Sequence, residues 1–341
     1  MRVYNLSAYI SYLLVILHFG CADDLEADDS PIVIISEEEA VGGAISGNET
    51  SLPDETQNND NDQNTVNEPI GTPSCYFNRD CADGQVCLDG ECTAADESEV
   101  EFNTDLGDFF VSWQEATTDP FLVQIKDYLS SLQYFESLAN YLNYTYILPT
   151  NISIIHKACG EENAFYDPNE RSILMCYELY GSILNLFTDV YPDQTDEVLN
   201  DWTLNTWIFI FFHELGHAFS HIYSLPITGQ EEDAVDEFST VMLLEAGMAH
   251  IPITAAYYWY HSDQGEYSNH LFADTHSLNM QRFYNILCLV YGYDQNEYGE
   301  LLEIFPDLVP RSANCPYEFY QKSSSWTRLL EEWKMPAGQA G

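Results

Sequence analysis

Positive charge is what this chain of 341 residues most lacks: 10 Lys and Arg stand against 56 Asp and Glu, a formal net charge of −46. Affinity for phosphate backbones comes mainly from Lys and Arg releasing counterions, so the deficit excludes a general nucleic-acid partner. Long apolar runs are also missing. The run Ile10–Leu17 is too short for a mature bilayer span, and no other segment is long and apolar enough to cross a membrane. Residues 22–72 have scarcely any aromatic side chain, while Glu37-Glu38-Glu39 and the stretch 57–64 are acidic or amide-rich. Such sequence cannot bury enough apolar area to offset its ordering entropy, so disorder is expected there. Its Asp60/Asp62/Asn64 alternation lacks the glycine and the final acid of a calcium loop.

What is present divides the chain. Residues 1–20 read as a secretory signal, and the small residue Gly20 before Cys21 resembles a bacterial lipoprotein cleavage site; His18 departs from the usual aliphatic residue. The expectation is export with lipid attachment at Cys21, simple secretion being the alternative. Residues 21–72 are then an acidic tether. With Cys21 set aside, the other cysteines form two even groups, Cys75/Cys81/Cys87/Cys92 and Cys159/Cys176/Cys288/Cys315, which suits disulfides in an exported chain. Residues 73–94 are too short for a core of their own, so the first group is expected to pair within itself. Zinc is the rival there, but the module has no C-x2-C pair and no His.

From about residue 100 to 336 the texture is globular, expected as an α+β, mainly helical domain. Asp105–Asn143 reads as one or two amphipathic helices, Tyr144–Leu148, Ile152–Ile155 and Ser172–Met175 as strands, and Tyr177–Leu186 as a helix. A long helix is expected from Asp201, as N-cap, to about Ser224, ended by Pro226, and another from about Gly229 to Met248. The first of these carries His213-Glu214-Leu215-Gly216-His217. Histidines four apart share a helix face, so both imidazoles reach one ion, and Glu214 beside them can hold a water there. Burial in so apolar a helix would leave these polar groups costly without a partner, and a metal provides one.

A zinc site of this kind needs a third protein ligand. Glu232 and Asp236 are again four apart, on a helix that a short turn would fold back against the first. Glu232 is the expected ligand, because Asp236 can then accept the free ring N–H of a zinc-bound His. Glu231 or Asp233 would lack that helper. The plainer reading is an acid cluster favouring a helix N-terminus. His221 is expected to be a bystander.

HELGH followed by E-x-x-x-D resembles the gluzincins, the thermolysin-like clan of metallopeptidases. The wider run, NAFYDPNERSILMCYEL, FFHELGHAF, LPITGQEEDAVDEF and QRFYNILCLVYG, is similar to a bacterial metallopeptidase family first recorded as a domain of unknown function. The resemblance covers about residues 100–335. It implies a zincin-like domain with a small sheet over the HExxH helix, and a peptide or protein substrate. Zinc on His213, His217 and Glu232 would polarise the scissile carbonyl, with Glu214 as general base. It implies that Asn163 and Ala164 clamp the substrate backbone from the sheet edge, a buried turn being the alternative. Cys159–Cys176 would fix that edge and Cys288–Cys315 would tie the helical region to the C-terminal segment. His276 would donate to the oxyanion, with Tyr284 or Arg282 behind it, a surface His and a structural Arg being the plainer readings of each. A zinc hydrolase of another amide, and a catalytically silent surface-anchored binding module, are the competing functions.

Overall fold

In the computed structural model the described residues are 85–88, 91–94, 105–115, 118–263, 265 and 276–335. The expected signal at 1–20, the expected lipid site Cys21, the expected tether at 21–72 and the expected side-chain pairing of Cys75, Cys81, Cys87 and Cys92 lie outside them. By their internal contacts the described residues separate into two units, 85–94 in one and 105–335 in the other. In the former, β1 (Gln85–Leu88) and β2 (Glu91–Ala94) pair antiparallel, with Cys87 opposite Cys92.

The larger unit is helix-rich α+β around one four-stranded sheet. Its strands are β3 (Phe109–Trp113), β4 (Ile152–Lys157), β5 (Ala164–Asp167) and β6 (Ser172–Cys176), in the order β3-β4-β6-β5. The first three are parallel, and β5 runs antiparallel to β6 at the edge. The helices are α1 (Pro120–Ser131), α2 (Tyr134–Thr145), α3 (Tyr177–Val190), α4 (Asp196–Ile222), α5 (Glu231–Glu245), α6 (His250–Ser262) and α7 (Asn279–Tyr293), then the short α8 (Leu301–Ile304) and α9 (Val309–Ser312), and finally α10 (Cys315–Glu331). No helix among the described residues is long and apolar enough to cross a membrane.

Three expectations are corrected. Asp105–Asn143 does not begin as a helix: Phe109, Val111 and Trp113 alternate inward with period two and form β3 on β4, before α1 and α2. Tyr144–Leu148 is not a strand. The apolar face of α2 (Phe135, Leu138, Leu142) carries the helix on to Thr145, and Tyr146 makes only an isolated bridge to Lys334. Nor does Asp201 cap the long helix. Thr195 does, its hydroxyl accepting from the Val198 amide, and the exposed first turn of acids precedes the apolar stretch that marked the helix in the sequence.

Helix α4 is the axis of this core. Trp207, Phe209, Phe211 and Phe219 are fully buried on several of its faces, as expected where a helix is apolar all round. Sheet strands β5 and β6 cover one side, α5 another. Gly216 sets how closely α5 approaches: a Cβ there would sit 2.9 Å from Val235 and 3.0 Å from Phe238. The helices can therefore bring their polar positions together just beyond this crossing. Disulfides Cys159–Cys176 and Cys288–Cys315 close the β5–β6 end and join α7 to α10.

His156 on β4 is 0% exposed, and neither ring nitrogen has a hydrogen-bond partner among the described residues. It stacks on Trp113 at 3.9 Å and meets the edge of Phe135 at 4.5 Å. Burial pulls its pKa down to about 3. Below its ordinary pKa near 6.5 the unfolded chain takes up a proton that the folded chain refuses, so acid favours unfolding by about 1.4 kcal/mol per pH unit between those two values. Urea unfolding of wild type between pH 6 and pH 4 should therefore lose stability more steeply than His156→Leu, by roughly one proton. Equal slopes would show that His156 is not the source.

Candidate metal centre

Two turns of α4 and the first turns of α5 supply the site. His213 and His217 point from one face of α4, and α5 begins just past the turn containing Pro226. Ligand atoms of His213, His217 and Glu232 all lie within 4.8 Å of one another. Glu232 Oε2 is 3.1 Å from His213 Nε2 and 3.4 Å from His217 Nε2. The two imidazoles and one carboxylate form the nitrogen and oxygen donor set that a divalent metal takes, with ligands deprotonated on binding.

Each imidazole is oriented from its far nitrogen. His213 Nδ1 donates to Asp236 Oδ1 at 2.8 Å, and His217 Nδ1 donates to Glu231 Oε1 at 2.8 Å. The first of these was expected from the four-residue spacing. The second is not legible in the spacing, because the part of Glu231 as acceptor for His217 depends on how α5 lies across α4. Asp236 is held in turn by Arg282, whose Nε and Nη2 donate at 2.6 and 2.7 Å. The guanidinium of Arg282 also lies 3.6 Å over the Trp259 ring. Arg282, a candidate donor to substrate, is thus committed to Asp236. Tyr284, the other, has its hydroxyl 3.5 Å from Asp307 Oδ2.

Glu214 is buried beside the pair and accepts the Tyr166 amide of β5 at 2.8 Å. Burial raises its pKa above the ordinary carboxylate value, while His213, His217 and that amide pull the other way. For His213, burial alone would lower the pKa, but the Asp236 and Glu232 carboxylates prevail and lift it to about 9. Burial would raise Asp236 and Glu232, yet both fall well below the usual carboxylate range, Asp236 chiefly through Arg282 and Glu232 through hydrogen bonds from three imidazoles. The third is His276, whose Nε2 lies 3.0 Å from Glu232 Oε2.

Asn163 directly precedes the edge strand, and Ala164 is its first residue; Asn163 Oδ1 accepts the Ala164 amide at 2.9 Å. Among the described residues, the outer side of β5 has no neighbouring strand within its sheet. His221, one turn beyond His217, has Nδ1 2.9 Å from the Tyr166 hydroxyl, so it braces the edge strand rather than standing apart. Tyr166 as the holder of Glu214 is not legible in the sequence. Its amide carries no residue signature, and only the β5 register shows it.

A family model described as "Putative metallopeptidase" matches residues 114–330. The chain belongs to this metallopeptidase family. No curated protein and no solved structure gives a match. Membership in the metallopeptidases implies a metal cofactor, and the donor set of His213, His217 and Glu232 fits one.

Proposed function

We propose that this chain is a zinc-dependent peptidase with a zincin-like fold of the gluzincin type. The observation that carries the reading is the convergence of His213, His217 and Glu232 next to a buried Glu214 pinned by an open strand edge. Zinc, when bound, acidifies a water and polarises the scissile carbonyl. Glu214 takes the proton of the attacking water and delivers it to the leaving amine, a task suited to a carboxyl whose pKa burial has raised. A peptide or protein substrate adds to β5 as a further strand, main chain to main chain, with Asn163 and Ala164 as its clamp. Asp236 and Glu231 hold the two imidazoles in the tautomer that offers Nε2 to the metal.

Export through residues 1–20, with a lipid anchor at Cys21, belongs to the same reading. Support comes from the short apolar run before Cys21 and from two disulfides that suit an oxidising compartment. The test is zinc stoichiometry of the purified full chain, together with cleavage of a mixed peptide library before and after chelation. One zinc per chain and cleavage that chelation abolishes are expected. Zinc binding with no peptide cleaved would refute the peptidase assignment.

A further inference from the structure

We propose that His276 is a positioning residue that holds the ligand carboxylate of Glu232; the proposal rests on the metal-site reading above. Its sequence context suggested a donor to the substrate oxyanion, but the geometry points elsewhere. His276 Nε2 is 3.0 Å from Glu232 Oε2, and a ring nitrogen that close to a carboxylate oxygen carries a hydrogen and donates it. His276 itself stands outside the group of ligand atoms that converge within 4.8 Å.

The other two imidazoles near Glu232 are prospective ligands. Once their Nε2 atoms serve a metal they have no hydrogen to give, so of the three only His276 still restrains the carboxylate. Each ligand then has its own support: Asp236 for His213, Glu231 for His217 and His276 for Glu232. Such outer partners fix a ligand's orientation and its basicity.

His276 is brought there by a local docking of chain on chain. Ser277 Oγ donates to Asp233 Oδ1 at 2.6 Å, and Arg282 grips Asp236 from within α7. His276, Ser277 and Arg282 thus meet Glu232, Asp233 and Asp236 in matching order along α5. With its neighbour anchored and its own side chain half-exposed, His276 has a defined place without filling any part of the core.

The experiment compares the full-length wild type with His276→Leu and His276→Gln, Gln being able to donate from a similar point. Zinc affinity is measured by competition with a chelating dye, and the visible absorption of the cobalt-substituted chain reports ligand geometry. For His276→Leu we expect zinc affinity lower by about 10- to 100-fold and a changed cobalt spectrum. His276→Gln should restore both to near wild type. Wild-type zinc affinity and cobalt spectrum in His276→Leu, with only turnover reduced, would overturn the assignment in favour of a donor to substrate. A wild-type chain that takes up no divalent metal would instead remove the metal-site reading, and this assignment with it.

Discussion

Glu214→Gln should leave the metal content of the chain unchanged and lower kcat/KM on peptides by about 10³-fold, with most of the loss in kcat. The replacement is nearly isosteric, and its amide oxygen can still accept the Tyr166 N–H that fixes the side chain. It cannot take a proton from water or return one to an amine. Because Glu214 is not among the converging ligand atoms, zinc binding and peptidase activity should separate cleanly in this variant. Metal analysis beside progress curves on the best library peptide checks both halves. A variant as fast as wild type would show that the base lies elsewhere; a variant without metal would show that Glu214 belongs to the ligand set.

Asp236→Leu should have the largest structural effect of any single change at the site. Asp236 is buried between His213 and Arg282, and its loss strands the guanidinium in a largely water-excluded place. Breaking a buried pair by removing one partner costs about 3–5 kcal/mol. In a domain of this size that corresponds to a fall in Tm of roughly 10 °C. Zinc affinity should also drop by about 10- to 100-fold, because His213 loses the acceptor that sets its tautomer. The two effects are separable. Asp236→Leu combined with Arg282→Met removes the stranded charge, so thermal stability should largely return while zinc affinity stays low. If the double variant recovered both, His213 would not need Asp236; if it recovered neither, burial of the guanidinium would not be the source of the instability.

Much of the candidate ligand set was legible because it depends on one local regularity. Residues four apart on a helix share a face, so His213/His217 and Glu232/Asp236 each declare a geometry without any knowledge of the fold. Apolar periodicity likewise located most of the helices. It failed where two periods overlapped. Phe109-Phe110-Val111-Ser112-Trp113 lies within a stretch whose later part is helical, and only pairing with β4 shows it to be a strand. It also misplaced the start of α4, because a helix's exposed polar turns look like loop until a core is there to define its buried face.

The remaining contacts at the site join residues distant in the chain. Tyr166 reaches Glu214 through a main-chain amide, which no side chain advertises. Glu231 meets His217, and His276 meets Glu232, only because Gly216 admits α5 close against α4 and Arg282 ties α7 alongside. For Arg282 the sequence left a structural role as the plainer reading beside that of a substrate donor, and its burial against Asp236 and Trp259 decides for the structural one. By itself, then, the sequence determined which side chains can hold a metal and which carboxylate stands beside them, since helical spacing is a local property. Which groups orient those ligands, and which strand edge faces them, was decided only by the tertiary structure, because hydrogen bonds between separate elements depend on how closely and in what register those elements pack.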